Sequence, residues 1–360
     1  MKYTCIDSFA GAGGLSLGLT NAGFDVLLSF DFDAHCIATQ NLNKKRLRHP
    51  ARQADVNDLL GGALLRELNL EQGELFLLAG GPPCQGFSVQ RIGNDRDARN
   101  TLVSSYFKLV DEVRPAYFLM ENVPGITGKR GRLILDKEIE RVTKLGYAVH
   151  CKTLDAQDFG VPQRRRRVFF VGERLDGYLP TFEFPAPMRG KKITVREVIG
   201  HLPPPPLDGS EHPTIVHHRS DKLSELNKKR LAALPPGKGR DHLPPELLAD
   251  CHKISSSIIG HRNVYGKMAW DEVAPTITAR FDSFTRGLFG HPEQLRTISL
   301  REGALLQTFP QDFVFSGSKV DIARQIGNAV PVKLAEVLGR QIISCHSIKA
   351  KQYDLSDAVS

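Results

Sequence analysis

The sequence predicts an α/β fold built on a mostly parallel sheet with helices on both faces. Two observations predict it. Short apolar runs alternate with helix-like stretches through the first half, and a glycine-rich turn follows the first run. After Gly172 the pattern changes to proline-rich, weakly periodic sequence, which is typical of loops. The predicted strands are Thr4–Phe9, Val26–Phe30, Ala51–Val56, Leu75–Ala79, Ala116–Met120, Ala148–Thr153 and Val168–Val171.

Helical spacing of apolar residues predicts the helices, and the change of pattern after Gly172 divides the chain into domains. Residues 1–172 and 318–345 form the main domain, residues 173–296 a smaller loop-rich domain, 297–317 a connecting segment and 346–360 a polar tail. Two further strands are expected in the smaller domain, Ile254–Ile259 and Thr276–Phe281. The predicted helices are Leu15–Ala22, Ser105–Val113, Leu133–Lys144, Leu300–Gln307 and Ile322–Ile343.

Charge and composition narrow the class of protein. A formal net charge of +8 over 360 residues favours a polyanionic partner, with nucleic acid ahead of an anionic membrane surface. The sequence contains no apolar run long enough for a membrane span and no signal-peptide pattern in residues 1–19. The cysteines are scattered without metal-like spacing, so we expect free thiols in the cytoplasm and no metal site. They are Cys5, Cys36, Cys84, Cys151, Cys251 and Cys345.

A glycine-rich turn, residues 7–14 (DSFAGAGG), joins the first strand to the first helix. Glycines let the backbone approach a ligand closely and leave helix N–H groups pointing at it, although many such turns are glycine-rich for steric reasons alone. Asp31 ends the second strand, where a carboxylate can bind ribose hydroxyls, and Asp55 ends the third. Ser16 occupies the third glycine position of the hydride-transfer fingerprint. The turn therefore favours a nucleoside-containing cofactor of another kind.

Three polar groups follow later strands and are expected at the same sheet edge. Residues 80–88 (GGPPCQGFS) place Cys84 after a strand among glycines and prolines, where a buried thiol is the less natural interpretation. Glu121, in ENV, follows the next strand and suits proton transfer, although it could simply face solvent. In residues 163–167 (QRRRR), a run otherwise typical of a solvated surface, Arg165 and Arg167 would point to one side of an extended segment.

These segments, with RQIGNAVP at residues 324–331, closely resemble the bacterial-type DNA (cytosine-5)-methyltransferases in order and spacing. The resemblance covers residues 3–172 and 297–343 and reaches the middle region mainly at APTITAR, residues 274–280. It implies a Rossmann-like S-adenosylmethionine-dependent methyltransferase sheet in the main domain. Residues 173–296 would form the target-recognition domain, with Thr276, Thr278 and Arg280 as DNA-recognition residues.

The resemblance also implies a pocket for S-adenosyl-L-methionine. Asp31 would bind the ribose, Phe32 would lie against the adenine and Asp55 would bind the adenine edge. Asp31 departs from the family, which more often has Glu, and this puts its geometry in doubt. The remaining pocket residues would be Phe9, Ala10, Gly11, Gly13, Pro83, Leu102, Asn328 and Val330.

For catalysis the resemblance implies that Cys84 attacks C6 of a cytosine flipped out of duplex DNA, and that Glu121 protonates N3. Arg165 would hold the base oxygen O2, with Gln163 and Arg167 in support, and residues 85–100 would close over the base. The partner would be double-stranded DNA. The chain would act as a cytoplasmic, nucleoid-associated monomer that could be paired with a restriction endonuclease.

Two alternatives stay open at the level of sequence. A tRNA cytosine-5-methyltransferase of the same architecture typically has Thr where this chain has Ser88, and its middle domain is smaller. A catalytically inactive DNA-binding regulator is disfavoured by the intact Cys84, Glu121, Arg165 and cofactor glycines.

Overall fold

The structure is a computed structural model that describes residues 2–83, 101–206, 208–249 and 264–357. Cys84, the predicted closing segment 85–100 and the predicted strand Ile254–Ile259 lie outside the described residues.

The chain forms two compact units. Unit 1 comprises Met1–Asp155, Arg166–Pro187 and Val330–Ser360, and unit 2 comprises Ala156–Arg165 and Met188–Ala329. These ranges differ from the predicted domains: unit 2 takes in Ala156–Arg165 and extends to Ala329, whereas residues 173–187 stay with unit 1. The last strand of the sheet continues past Gly172 to Arg174, which explains part of the difference. The roles assigned to the predicted domains stay predictions.

Unit 1 is organised by a seven-stranded sheet with the order β3-β2-β1-β4-β5-β7-β6. Strands β1 to β5 pair in parallel, and β7 runs antiparallel to both β5 and β6. The predicted mostly parallel sheet is therefore confirmed. The strands are β1 Thr4–Ser8, β2 Asp25–Asp31, β3 Ala51–Gln53, β4 Leu77–Gly80, β5 Tyr117–Asn122, β6 Tyr147–Asp155 and β7 Arg166–Arg174.

Most described helices belong to unit 1, and those of unit 2 are separated by long irregular stretches. The helices of unit 1 are α1 Gly14–Ala22, α2 Ala34–Leu42, α3 Lys44–Leu47, α4 Gly61–Glu67, α5 Thr101–Val113, α6 Lys129–Lys144 and α11 Val332–Asp357. Those of unit 2 are α7 Val195–Ile199, α8 Glu225–Ala233, α9 Leu300–Leu306 and α10 Lys319–Asn328.

Successive side chains of each strand point to opposite faces of the sheet, and both faces are apolar, as expected for a sheet covered on both sides. Ile6, Leu78 and Phe118 belong to a buried cluster with residues of α4, α5 and α6. Helices α1 and α11 pack on each other so closely that a Cβ at Gly18 would lie 2.4 Å from the Cβ of Ala335. A glycine is thus required where these two helices meet.

Two sequence predictions about secondary structure are wrong. The predicted helix Ile322–Ile343 is two helices, α10 and α11, because Pro331 has no N–H to donate and disfavours helical geometry in the residue before it. Helix α11 also continues through most of the predicted polar tail, to Asp357. The predicted strand Thr276–Phe281 is irregular, and the isolated β-bridge of this segment joins Ala274, two residues before it, to Gln163.

Among the helices of the described ranges, none combines the length and the apolar composition that crossing a membrane requires.

Candidate active site

The glycine-rich turn after β1 has an unusual backbone. Phe9, Gly11 and Gly13 have φ values of 55°, 54° and 85°, in the left-handed region that glycine tolerates and a side chain such as that of Phe9 rarely adopts. A Cβ at Gly11 would meet no atom of the described residues within 4 Å, so the turn faces open space. This open, side-chain-free surface has the form required for close approach of a ligand to the backbone.

Asp31 fixes this turn from the end of β2. Its two carboxylate oxygens accept hydrogen bonds from the N–H groups of Gly11 and Asp33, each at 2.8 Å. Burial raises the pKa of Asp31, and these two hydrogen bonds oppose the rise. Two predicted cofactor residues, Gly11 and Asp31, therefore lie in direct contact, because the Asp31 carboxylate binds the backbone of the turn.

A second carboxylate lies beneath the turn. Asp7 is fully buried and accepts a hydrogen bond of 2.5 Å from the Ser16 hydroxyl, in the first turn of α1. Gly13, the N-cap of this helix, has no side chain to cap it, so Asp7 supplies an acceptor from the neighbouring strand. Burial raises the pKa of Asp7 to about 7, while the hydrogen bonds from Ser16 lower it.

Several other predicted cofactor residues of unit 1 follow strands of the same sheet. Phe32 follows β2 and is 72% exposed, which is high for a phenylalanine, and the Asp55 carboxylate accepts the N–H of Asn57 at 2.9 Å. Ala10 is buried, with its N–H bonded to the Phe30 carbonyl at 3.1 Å. The remaining ones are Pro83 after β4, Leu102 in the first turn of α5 and Val330 just before α11. Asn328 ends α10 in unit 2 and is exposed.

Glu121 lies in β5, one residue before the end of that strand. Its Oε1 lies 2.9 Å from Nε of Arg167 in β7, and the two side chains are only 12% and 15% exposed. The antiparallel pairing of β5 with β7 produces this approach, because it sets Glu121 opposite Phe169 and brings the start of β7 to the end of β5. A carboxylate and a guanidinium are thus held together at the catalytic edge that the sequence predicts.

The segment that leads into Cys84 is held against the same strand. The Asn122 amide donates to the Pro82 carbonyl at 2.9 Å, and its oxygen accepts the N–H of Val123 at 2.9 Å. A Cβ at Gly81 would lie 3.3 Å from Oε2 of Glu121. Cys84 itself lies outside the described residues, two positions after Pro82.

Arg165 and Gln163 belong to unit 2 and are completely buried. The Arg165 guanidinium donates to the carbonyls of Ile277, Gly327 and Ala329, each at 3.0 Å. The predicted alternation is confirmed, since Arg164 and Arg166 are exposed while Arg165 and Arg167 are not. None of these contacts tests the predicted bond between Arg165 and a base oxygen.

Gln163 connects two irregular segments of unit 2. Its amide nitrogen donates to the Gln307 side chain at 2.9 Å, and its oxygen accepts the N–H of Ile277 at 2.8 Å. The backbone reinforces this contact, since Arg164 N–H donates to the Ala274 carbonyl and Ala274 N–H to the Pro162 carbonyl. The segment 274–277 is thereby fixed alongside residues 162–165.

The three predicted DNA-recognition residues follow or belong to this fixed segment. Thr276 donates its hydroxyl to the Arg164 carbonyl at 2.6 Å, whereas Thr278 is exposed. Arg280 is also exposed, and its Nε lies 3.1 Å from the carboxylate of Asp282. Thr276 thus has a structural contact in unit 2, and Thr278 and Arg280 are accessible.

Sequence reasoning assigned no role to Gln40, Asn122 or Gln307. Gln40 donates to the Gly11 carbonyl at 2.8 Å and accepts from Ser29 at 2.6 Å, so it supports the cofactor turn. Gln307 donates to the Ile326 carbonyl at 2.6 Å. A polar residue in a position expected to be buried was the available signal: Gln40 lies among the buried positions of α2, beside Cys36, Ile37 and Thr39.

Comparisons with known proteins agree along nearly the whole chain. The sequence profile of C-5 cytosine-specific DNA methylases matches residues 3–344. The chain is 36% identical to the Type II methylase M.HgiDII of Herpetosiphon aurantiacus, covering 95% of each chain. It is 35% identical to the Type II methyltransferase M1.HphI of Haemophilus parahaemolyticus, covering 96% of this chain and 88% of the other.

A solved structure shows the same relationship in three dimensions. The crystal structure of a prophage-encoded E. coli protein, assigned as a DNA modification methyltransferase, is 27% identical, with a TM-score of 0.69 over 96% of this chain and 100% of that one. The sheet of unit 1 and this likeness define an S-adenosylmethionine-dependent methyltransferase fold. The chain belongs to the family of C-5 cytosine-specific DNA methylases. It is accordingly a DNA (cytosine-5)-methyltransferase, in agreement with the DNA-directed prediction.

Proposed function

We propose that this enzyme methylates C5 of one cytosine in a specific duplex DNA sequence, through a covalent bond between Cys84 and C6 of a base flipped out of the helix. The observation that carries the proposal is the arrangement at the end of β5. Glu121 is paired with Arg167 at 2.9 Å, and Asn122 holds the Pro82 carbonyl just before Cys84. Two adjacent residues of β5 thus combine the two groups: Glu121 is the proposed acid, and Asn122 binds the segment that leads into Cys84.

The chemistry of cytosine requires such a pair. C5 is a poor nucleophile because it belongs to an aromatic ring. Addition of the Cys84 thiolate to C6 pushes an electron pair toward N3 and makes C5 enamine-like, and a proton from Glu121 neutralises N3. After C5 has accepted the methyl group, a base removes the C5 proton, the thiolate is expelled and N3 returns its proton to Glu121, which restores the neutral aromatic ring.

The contacts favour Arg167 over Arg165 for the position beside the base. Arg165 is fully buried and donates to three carbonyls of unit 2, whereas Arg167 is partly exposed and lies against the catalytic carboxylate. A guanidinium there would orient Glu121 and can donate to the neighbouring O2 of the base. In this proposal Arg165 and Gln163 position the segment around them and do not touch the base.

The residues around the glycine-rich turn fit S-adenosyl-L-methionine. The open face at Gly11 accepts a ligand close to the backbone, Asp31 has carboxylate lone pairs available to ribose hydroxyls, and the exposed Phe32 ring offers a surface for adenine. When bound, this cofactor supplies an electrophilic methyl group. Ala10, Pro83, Leu102 and Val330 would complete its pocket, with Asp55 on the adenine edge and Asn328 as a further contact.

A duplex hides C6, so the target base must leave the stack, at a cost of a few kcal/mol. Residues 173–296 would select the target sequence, with Thr278 and Arg280 the accessible members of the predicted recognition set. The Type II names of the relatives support a role in a restriction-modification system beside an endonuclease. In this proposal the enzyme acts in the cytoplasm, associated with the nucleoid, as a monomer.

A mechanism-based trap tests this proposal. Fluorine at C5 of the target cytosine leaves addition and methylation possible but removes the proton whose loss releases the enzyme. We expect a denaturation-resistant complex with 5-fluorocytosine DNA that depends on S-adenosylmethionine. Cys84→Ser should abolish it, since a hydroxyl is far less ionised than a thiol at neutral pH.

An equal yield of complex from wild type and Cys84→Ser would disprove the adduct, as would turnover of the fluorinated DNA without trapping. Binding of S-adenosylhomocysteine by both proteins serves as the control that the variant is folded.

A further inference from the structure

Asp282 is a buried acidic residue of unit 2 that lies between two basic side chains. Its carboxylate is only 2% exposed and lies 3.1 Å from Nε of Arg280 on one side and 3.1 Å from Nζ of Lys319 on the other. Lys319 starts α10 and also pairs with Asp221, so two cations and two carboxylates meet around Asp282. A carboxylate this buried between two cations has a fixed position.

The backbone that carries Asp282 is fixed as well. Residues 274–277 are bonded to residues 162–165, as described above. Phe281, the neighbour of Asp282, is fully buried, and a Cβ at Gly303 would lie 2.3 Å from its ring. Arg280 therefore extends from a rigid base although 47% of its own side chain is exposed.

The atom by which Arg280 is held determines what it can offer. The hydrogen bond to Asp282 uses Nε, and among the described residues neither Nη group has a hydrogen-bond partner. An arginine held through Nε presents its two Nη groups outward as a planar fork. Arg286 differs: it is exposed and has no ion-pair partner in the described part of the chain.

We propose that Asp282 is a positioning residue that holds Arg280 as a preformed two-donor fork for DNA, with Lys319 offsetting the charge of the carboxylate. The ligand is a pair of adjacent acceptors on DNA, which the O6 and N7 atoms of guanine or two phosphate oxygens can supply. The inference rests on the proposed function, since it assumes a duplex DNA substrate. It adds a residue that orients the recognition group without touching DNA.

Lys319 has a specific part in this arrangement. Asp282 alone would repel phosphate and would weaken the attraction of Arg280 for any anionic site. Lys319, which it shares with Asp221, offsets part of this repulsion, while the bond to Asp282 restricts the rotation of Arg280. Less side-chain entropy is then lost on binding, which is how preorganisation raises affinity.

A double-mutant cycle tests the proposal, with wild type, Asp282→Asn, Arg280→Ala and the double variant. The DNA is a duplex that carries the target found by methylome sequencing of cells expressing the enzyme. Arg280→Ala should weaken DNA binding about tenfold or more, and Asp282→Asn about threefold to tenfold. In the Arg280→Ala background, Asp282→Asn should have no further effect, because Asp282 acts only through Arg280.

Controls separate this positioning role from a structural one. Thermal unfolding and S-adenosylhomocysteine binding should change little in the single variants, and Arg286→Ala matches the loss of one exposed charge without the loss of a preformed fork. If Arg280 binds phosphate, its removal lowers the salt slope by about one; if it binds guanine, methylome sequencing shows relaxed preference at one position.

The proposal is overturned if Asp282→Asn weakens binding equally in both backgrounds, or leaves wild-type binding unchanged. If Asp282→Asn does not fold, Arg280→Lys is used in its place, since lysine keeps the charge but has no Nε–H to donate to Asp282. Wild-type affinity in Arg280→Lys would also overturn the proposal. Wild-type methylation of DNA is measured first. If the wild type does not methylate DNA, the proposed function is wrong. If it does, but the effects of Asp282→Asn and Arg280→Ala on binding simply add, only the role of Asp282 is wrong.

Discussion

Two arginines separated by one residue illustrate how differently the two units use polar side chains. Arg167, in the sheet of unit 1, is partly exposed and pairs with the carboxylate of Glu121. Arg165, in unit 2, is fully buried and donates to three backbone carbonyls. A sheet satisfies its own backbone groups, so a side chain at its edge is free for chemistry. Irregular chain has no such ladder and needs side-chain donors to be buried at all.

Other irregular parts of the chain also have buried side chains that form hydrogen bonds to the backbone. In unit 2, Arg301 donates to the carbonyls of Val216, Pro310 and Phe313, and Arg296 forms a buried two-bond pair with Glu302. Unit 1 has such a side chain too, where the chain leaves β7: the buried Glu173 accepts N–H groups of Thr181 and Phe182. Arginine with its five donors suits this task particularly well. A buried arginine is therefore weak grounds for assigning a catalytic role.

The largest expected effect separates the two arginines. Arg165→Ala should lower the free energy of unfolding by about 3–5 kcal/mol, because three buried carbonyls lose their donor and a cavity remains. Arg167→Ala should cost about 1–2 kcal/mol in stability yet slow single-turnover methylation about 100-fold or more, since Glu121 loses its partner. Denaturant unfolding and rapid-quench methylation measure the two quantities.

The comparison fails if Arg165→Ala is as stable as wild type and catalytically dead, which would place Arg165 at the base. Arg166→Ala is the control, since its exposed side chain lies between the two and should affect both quantities little.

The same contrast explains which features could be predicted from sequence. Strand and helix patterns located all seven strands of the sheet, and the strand ends located Glu121, Asp31 and the glycine-rich turn. The segment around Thr276 was mistaken for a strand because its β-branched residues fit one, whereas its contacts are a single bridge and side-chain hydrogen bonds. Such contacts depend on residues more than a hundred positions away and leave no local periodicity.

A smaller effect concerns pH and tests the carboxylate beneath the cofactor turn. The pKa of Asp7 is raised by burial to about 7, from an ordinary value of 3.8, so the folded protein retains a proton that the unfolded chain has lost. Between these two values stability must fall as the pH rises, and above about 7 this contribution levels off. The total approaches about 4 kcal/mol.

Asp7→Asn should remove this dependence, so that the variant gains stability relative to wild type between pH 5 and pH 8. Denaturant midpoints at the two pH values measure it, with Asp25→Asn as the control at a more exposed position of the same sheet. Parallel pH profiles for Asp7→Asn and wild type would contradict the assignment.

The smallest expected effect concerns Phe32. Its exposed ring contributes little to folding, but stacking on adenine should make Phe32→Ala bind S-adenosylhomocysteine about tenfold more weakly, with unfolding unchanged. Titration calorimetry measures the affinity. Leu133→Ala, which removes a side chain that is 78% exposed on α6, is the matched control. Equal affinities in the two variants would remove Phe32 from the cofactor pocket.

The most direct test of the whole account is to identify the methylated nucleoside. Duplex DNA is incubated with the enzyme and S-adenosylmethionine labelled in its methyl group, then digested to nucleosides and separated, with tRNA treated in parallel. The account predicts label in 5-methyl-2′-deoxycytidine, none in tRNA, and a loss of at least about 100-fold in Cys84→Ser and Glu121→Gln. Label at the exocyclic nitrogen of cytosine, on adenine or in tRNA would contradict it, as would undiminished labelling by Cys84→Ser.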